Sequence, residues 1–286
     1  MTISFGGRLA AEFAAGRHLC AGIDPHAPLL AEWGLPDDAA GAERMGREVV
    51  AAAAGVAACV KPQVSFFERF GSAGFTALER VLGDARAAGL LVVADAKRGD
   101  IGSSFDAYAA AWLSPGSPLE ADALTVAAYQ GFGTLAGALG LVTAHGKGLF
   151  VLAATSNPEA RDVQTAVRED GRTVAAAMVG DAQVFNSRAF AGEAVGGVGV
   201  VLGATLRLAD YGIEIDGPEL PGPALPVLAP GFGHQGARIE DAGGIFGQLG
   251  RALLANESRS ILSGGSDGLA ARVRARAAAV AEALSA

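Results

Sequence analysis

The chain is poor in cysteine and has no long apolar run, and each shortage excludes a class of protein. Its 286 residues include two cysteines, Cys20 and Cys59, which are too few for a disulfide framework and wrongly spaced for a zinc site. No apolar run reaches the roughly 18 residues that a membrane-spanning helix needs, and the first residues lack the apolar core of a signal peptide. We therefore expect a cytoplasmic protein with both cysteines buried in its core.

Positive charge is scarce as well. Lys and Arg number 22 against 30 Asp and Glu, so the formal net charge is −8. This balance gives no basic face, and nucleic acid is not an expected partner. His18, His26 and His145 are scattered without metal-ligand spacing or a neighbouring acidic cluster, so no metal site is predicted.

The sequence does contain a repeat of apolar strand, loop and amphipathic helix. Eight segments have strand character: 18–24, 58–63, 90–97, 122–126, 149–155, 198–205, 226–231 and 259–265. Continuous apolar strands separated by helices are typical of a parallel sheet covered on its outer face. Eight units predict a single-domain (β/α)8 TIM barrel over residues 1–286, with a short N-terminal helix.

An open doubly wound sheet is the alternative arrangement of the same units. It normally carries a glycine-rich dinucleotide fingerprint after the first strand, whereas this first strand runs into "GIDPHAP". The clearest helix is 72–89, which has one apolar stripe and Gly89 as its predicted stop. The Pro/Gly-rich segment 212–226 predicts an irregular loop where a barrel helix is expected.

One stretch, "LLVVADAKRGDIG", carries an apolar strand straight into alternating charges. Side chains alternate faces along a strand, so Asp95 and Lys97 share the interior face of the barrel while Ala96 faces the helices. Lys61 ends the neighbouring strand, within reach of Asp95. In a low-dielectric interior, each of these charges stabilises the ionised form of its neighbour.

Two interpretations of these charges stay open from spacing alone. One is a structural salt bridge that closes the mouth of the barrel. The other is a catalytic Lys–Asp–Lys–Asp array, completed by Asp100 in the following loop. In such an array a rigid ammonium stabilises a developing carbanion and then protonates it. A fixed carboxylate there would repel a substrate carboxylate, which favours the loss of CO₂.

Other polar residues follow the predicted strands at the end where barrel enzymes place their catalytic groups. The segment "PGFGHQGA" (230–237) offers glycines and backbone N–H groups, and Arg259 offers a planar fork suited to phosphate oxygens. Without further information, the alternative for Arg259 is a surface position at the rim.

These motifs together resemble the orotidine 5′-phosphate decarboxylase family, and most closely its bacterial type 2 subgroup. The resemblance rests on "DAKRGDIG" and on "GIDP", "VKPQVSFFE", "TSNPEA", "PGFGHQGA" and "SRSIL", which occur in the family's order over almost the whole chain. It implies a TIM barrel that converts orotidine 5′-monophosphate to UMP and CO₂ in pyrimidine biosynthesis. It also implies that neither a metal nor a cofactor takes part.

The resemblance assigns a role to each matching residue. The catalytic tetrad would consist of Lys61, Asp95, Lys97 and Asp100. Lys97 would protonate C6 of the pyrimidine, and Asp95 would lie beside the scissile carboxylate. Asp100 would reach into the active site of the partner subunit of a homodimer. The implied substrate-binding residues are Asp24 for a ribose hydroxyl, Ser156 for the pyrimidine edge, Gln235 and Arg259 for the phosphate, and Ile101 with Ser104 across the interface.

The chain departs from the family pattern in three places. Ala127 and Ala128 replace an Asn-Pro or Ser-Pro pair after the fourth strand, and His234 and Ala237 replace an alanine and a glycine in the phosphate loop. The 212–226 segment is unlike the usual helix. None of these departures removes a tetrad member.

Two other functions stay open. A Mg²⁺-dependent sugar-phosphate lyase or decarboxylase of the same barrel type, such as a hexulose-phosphate synthase, also carries an Asp-x-Lys pair. It would need an acidic metal ligand near the second strand, where this chain has Lys61. A barrel that binds a nucleotide without turnover would show a broken charged array, but all four members are present.

Overall fold

Eight parallel strands close into a barrel in the computed structural model, which describes residues 2–216 and 222–285. The strands are β1 (Leu19–Ile23), β2 (Cys59–Pro62), β3 (Leu91–Arg98), β4 (Ala123–Val126), β5 (Gly148–Ala154), β6 (Val198–Leu202), β7 (Val227–Pro230) and β8 (Leu253–Glu257). Each strand pairs with its neighbour in sequence, and β1 pairs with β8 to complete the ring. The predicted TIM barrel is confirmed.

Helices alternate with the strands and cover the outside of the barrel. They are α1 (Phe5–Ala14), α2 (Ala27–Glu32), α3 (Ala39–Ala53), α4 (Ser65–Glu68), α5 (Gly71–Ala87), α6 (Gly102–Leu113), α7 (Ala136–His145), α8 (Ala160–Gln164), α9 (Val174–Ala189), α10 (Ala242–Phe246), α11 (Arg259–Leu262) and α12 (Leu269–Ser285). No helix in the described ranges is long and apolar enough to cross a bilayer.

Helix α5 forms where the apolar stripe predicts a helix, and it ends just before Gly89, the predicted stop. Leu78 and Leu82 lie on the buried face of the helix. Gly89 has a φ of +72°, a left-handed conformation that glycine adopts without a steric penalty. The chain therefore leaves the helix at this residue and enters β3 two positions later.

Alternation along the strands divides the apolar residues into two clusters. Ala94 and Ala96 belong to the large cluster between the barrel and its helices, whereas Val93 belongs to a smaller cluster inside the barrel. Phe5 and Leu9 of α1 join the interior cluster near the points where the strands begin. Apolar packing of α1 thus closes the barrel interior at its amino-terminal end.

The predicted eighth strand at 259–265 is wrong. The strand is Leu253–Glu257, and the residues after it form the short helix α11. Ile261 and Leu262 are apolar because the helix buries them completely, which gives the same short apolar pattern as a strand. The correction places Arg259 just beyond the carboxyl end of β8, where barrel enzymes place functional groups.

The connection from β6 to β7 is irregular, as its composition predicts. Its described part contains a 3₁₀ turn at Leu208–Tyr211 and no α-helix. Residues 217–221 of the predicted 212–226 loop lie outside the described residues.

Candidate active site

Three charged side chains meet at the carboxyl ends of β2 and β3. Lys61 Nζ donates a hydrogen bond to Asp95 Oδ2 at 2.6 Å, and Lys97 Nζ donates one to Asp95 Oδ1, also at 2.6 Å. Lys61 and Asp95 are buried, whereas the Lys97 side chain is 44% exposed at the mouth of the barrel. One carboxylate therefore bridges two ammonium groups, and the contacts expected from the alternation along β3 are present.

Mutual stabilisation keeps this array ionised. Burial alone would raise the pKa of Asp95, but the charges and hydrogen bonds of Lys61 and Lys97 outweigh it and hold the pKa of that carboxyl well below its usual range. Burial alone would lower the pKa of Lys61, but the carboxylates of Asp95 and Asp24 carry it above its usual value. The site therefore presents fixed charges of both signs at neutral pH.

Thr125 is a member of the site that the sequence analysis missed. Its hydroxyl donates a hydrogen bond to Asp95 Oδ1 at 2.9 Å and accepts one from the backbone N–H of Lys97 at 2.9 Å. Lys97 needs such support, because its φ of +49° is the one positive value among the non-glycine residues described. The signal in the sequence was a lone polar residue inside the apolar strand "DALTV".

Gln63, the last residue of the "VKPQ" motif, is a second missed member. Its Oε1 accepts a hydrogen bond from Lys97 Nζ at 3.0 Å, and its Nε2 donates to the Asp95 backbone carbonyl at 3.2 Å. Lys97 is thus held between a carboxylate and an amide oxygen. Its ammonium has a defined direction even though it is half exposed.

Asp100 does not join the array within its own chain. Its Oδ1 accepts the backbone N–H of Ile101 at 2.8 Å, and no lysine in the described residues hydrogen-bonds to it. Ile101 is 59% exposed, and Ser104 and Tyr108 are exposed on the helix that follows. The residues predicted to act across an interface therefore lie together on one open surface beside the array.

A separate polar pocket lies between the ends of β7 and β8, and we call it the β7–β8 pocket. Asp24, Gln235 and Arg259 all line it, together with His234 and Ser258. Asp24 Oδ1 and Ser258 Oγ are buried and have no hydrogen-bond partner in the structure. Buried polar atoms are normally paired, so these two suit a ligand with hydroxyl groups.

Ser156 lies in the loop after β5, at the same end of the barrel, and its side chain is exposed. The loop is fixed by its neighbour Thr155, whose backbone N–H and hydroxyl both bond to the side chain of Gln164 at 2.9 Å. The structure does not bring Ser156 into hydrogen-bond contact with the charged array.

A closed barrel with an ionised array and a polar pocket at its carboxyl end is the architecture of a TIM-barrel enzyme. Within the described ranges, no group of three or more His, Cys, Asp or Glu side chains is arranged to hold a metal ion. The model of the Orotidine 5′-phosphate decarboxylase / HUMPS family matches residues 17–272, and the chain belongs to this family.

Individual relatives match along nearly their full length. The chain is 50% identical over 272 residues to an orotidine 5′-phosphate decarboxylase of Streptomyces coelicolor, which covers 95% of this chain and 94% of the relative. It is 47% identical over 267 residues to that of Corynebacterium efficiens, with 93% and 92% covered. A crystal structure assigned as an orotidine 5′-phosphate decarboxylase, from Streptomyces avermitilis, has a TM-score of 0.91 at 48% identity and covers 100% of this chain and 98% of its own.

Proposed function

We propose that the chain decarboxylates orotidine 5′-monophosphate to UMP and CO₂ in pyrimidine biosynthesis. The observation that carries the proposal is the Asp95 carboxylate held between two ammonium groups at the open end of the barrel. Relatives at about half identity over most of the chain are named for this reaction. The left-handed backbone of Lys97, an unusual conformation for a non-glycine residue, favours a functional site over a purely structural salt bridge.

The array provides a route for the reaction without a metal ion. Breaking the bond between C6 and the carboxyl carbon leaves its electron pair on C6, where the Lys97 ammonium stabilises the negative charge. Lys97 Nζ then gives a proton to C6, which forms the C–H bond of UMP, and the exposed amine recovers a proton from water. Asp95 beside the substrate carboxylate would favour its departure, and Lys61 keeps Asp95 ionised.

Substrate binding is assigned to the groups around the array. Asp24 would bind a ribose hydroxyl, which would satisfy its unpaired buried oxygen. Gln235 and Arg259 would hold the phosphate in the β7–β8 pocket, which matches the phosphate position common in TIM barrels. Ser156, exposed in the loop after β5, would bind the edge of the pyrimidine.

The working unit in this proposal is a homodimer in which Asp100 completes the array of the partner subunit. Support comes from the open surface around it, where Ile101 and Tyr108 are large, exposed and apolar or aromatic. Ile101 and Ser104 would contact the partner's substrate.

Subunit mixing tests this arrangement. Lys97→Ala and Asp100→Asn are each expected to be inactive, but a mixed dimer would contain one site with both residues intact. We expect part of the activity to return on mixing under subunit exchange. No recovery between variants that demonstrably exchange subunits would contradict the shared site.

The test of the activity itself is conversion of orotidine 5′-monophosphate to UMP, followed by ultraviolet absorbance, with EDTA and then with added Mg²⁺. We expect full turnover in EDTA. A folded protein that is inactive on this nucleotide but turns over a sugar phosphate only with Mg²⁺ would favour the alternative lyase.

We also propose that the protein works in the cytoplasm. Both cysteines are free and completely buried, which suits a reducing compartment. Cell fractionation with an antibody to the protein would test the location.

A further inference from the structure

A buried carboxylate lies directly behind the β7–β8 pocket and takes no part in the charged array. Glu257 is the last residue of β8, and its side chain is 0% exposed. Arg276 of α12 donates from Nε to Glu257 Oε2 at 2.8 Å and from Nη2 to Oε1 at 2.6 Å. This two-bond pairing fixes both the position and the plane of the carboxylate.

The same carboxylate contacts one of the two segments that form the pocket and lies close to the other. The hydroxyl of Ser260, next to Arg259, donates a hydrogen bond to Glu257 Oε2. On the other side, a methyl group placed on Gly233 would lie 3.4 Å from Glu257 Oε2 and 3.2 Å from Ser260 Cβ. Gly233 begins the 3₁₀ turn that carries Gln235. Glu257 is therefore packed where the two segments meet.

Both segments are too short to fix their own geometry. The turn Gly233–Gln235 has three residues and α11 has four, so each makes few internal hydrogen bonds. A phosphate needs its donors held within a fraction of an ångström, which calls for support from a rigid neighbour. The Glu257–Arg276 pair ties this region to α12, a helix of 17 residues.

We propose that Glu257 is a positioning residue for phosphate recognition. It keeps Gln235 and Arg259 at fixed positions relative to each other across the β7–β8 pocket. Arg276 in turn fixes the position of Glu257. The inference rests on the proposed function, because it takes the pocket to be the phosphate site. In this role Glu257 touches no substrate atom and contributes only to the affinity for the phosphate group.

If the role of Glu257 were purely structural, its removal would affect the protein in the same way as the removal of a carboxylate from another ion pair of the barrel. The chain offers a matched control in Glu120, which pairs with Lys147 at 2.6 Å. Glu120 precedes β4 and Lys147 precedes β5, so this pair lies at the opposite end of the barrel from the pocket. Removing either carboxylate leaves a cation without its partner, but of the two only Glu257 bonds to a residue that lines the pocket, Ser260.

The experiment is an NMR titration of the full chain with UMP and with uridine, which differ by the phosphate. We expect the dissociation constant for UMP to rise about tenfold in Glu257→Gln, the scale of one lost interaction in a hydrogen-bonded network, while that for uridine stays unchanged. In Glu120→Gln neither constant should change. A wild-type preference for UMP over uridine that survives intact in folded Glu257→Gln would overturn the inference.

A second variant covers the case in which Glu257→Gln does not fold. Arg276→Lys keeps the positive charge but loses the planar fork, so we expect a smaller loss of UMP affinity in the same direction. An unchanged preference in this variant would also overturn the inference. Failure of the proposed phosphate site is a different result, because the wild-type chain itself would then bind UMP no better than uridine.

Discussion

Two layers of the barrel interior lie two residues apart along the same strands and differ in almost every other respect. In β2, Cys59 faces the lower layer and Lys61 the upper one, and in β3 the corresponding residues are Val93 and Asp95. All four of these residues are buried. The lower layer is apolar, while the upper layer is charged and opens to the mouth of the barrel.

Burial alone therefore does not separate residues that stabilise the fold from residues that carry chemistry. The lower layer gains its free energy from apolar area and close packing. The upper layer carries buried charges, whose desolvation cancels most of their attraction, so a well-packed apolar pair would serve stability as well. What distinguishes Asp95 is a complete set of partners, in which Lys61, Lys97 and Thr125 all bond to it.

Removing the Asp95 charge from the upper layer should have the largest effect on both activity and stability. We expect Asp95→Asn to lower kcat by about a thousandfold, the scale of losing a preorganised electrostatic group. The unfolding free energy should fall by about 3–5 kcal/mol, because buried Lys61 loses the carboxylate to which it is hydrogen-bonded. Turnover assays and urea unfolding measure the two quantities. A variant with near-normal kcat would show that Asp95 serves only the structure.

A substitution in the lower layer should lower the stability of the protein but leave its turnover number intact. Phe150 is fully buried and packs edge-to-face on Phe5 with their ring centroids 5.9 Å apart. Phe150→Ala should lower the unfolding free energy by about 3–5 kcal/mol through the cavity it leaves. We expect kcat per folded molecule to stay within about twofold of wild type, since no charge is moved. A collapse of kcat in the folded variant would mean that the layers are not independent.

Acid should weaken the charged upper layer, because its buried carboxylate Asp95 becomes protonated. The pKa of Asp95 is depressed in the folded chain but near 3.9 in the unfolded one, roughly the value for a free aspartate. Its stabilising contribution is therefore present above pH 4 and lost as the pH falls through the folded value. The unfolding free energy of wild type should drop more steeply below about pH 4 than that of Asp95→Asn. Parallel curves would contradict the depressed pKa.

The smallest of these effects concerns the support of Lys97. Thr125→Val keeps the shape of the side chain but removes the hydroxyl that bonds to Asp95 and to the Lys97 backbone. We expect kcat to fall about tenfold with little change in KM, as for one lost hydrogen bond to a charged group. Thr125→Ser should restore most of the rate. If Val and Ser behave alike, the hydroxyl has no positioning role.

The barrel and the contact between Lys61 and Asp95 could be predicted because both follow from local rules. Continuous apolar strands imply a covered parallel sheet, and strand alternation places Asp95 inward at the end of β3. The roles of Gln63 and Thr125 were missed, since an uncharged side chain does not indicate which group on a neighbouring strand it bonds to. The left-handed backbone of Lys97 was equally hidden, because a lysine gives no signal of positive φ.

The error at the eighth strand has a local origin, the shortness of the segment. Two buried apolar residues in a four-residue helix give no periodicity by which helix and strand can be told apart. Among the described residues of its own chain, the Asp100 carboxylate bonds locally, to the N–H of Ile101, and its role in a partner subunit stays a prediction.

In the proposed reaction, Lys97 at the mouth of the barrel is the proton donor of a metal-free decarboxylation. Its most direct test is turnover of orotidine 5′-monophosphate in EDTA by wild type and by Lys97→Ala, with UMP affinity measured on both. We expect wild type to be active and the folded variant to lose at least about a thousandfold in kcat while still binding UMP. A Lys97→Ala chain that decarboxylates at a rate near that of wild type would show that Lys97 is not the proton donor.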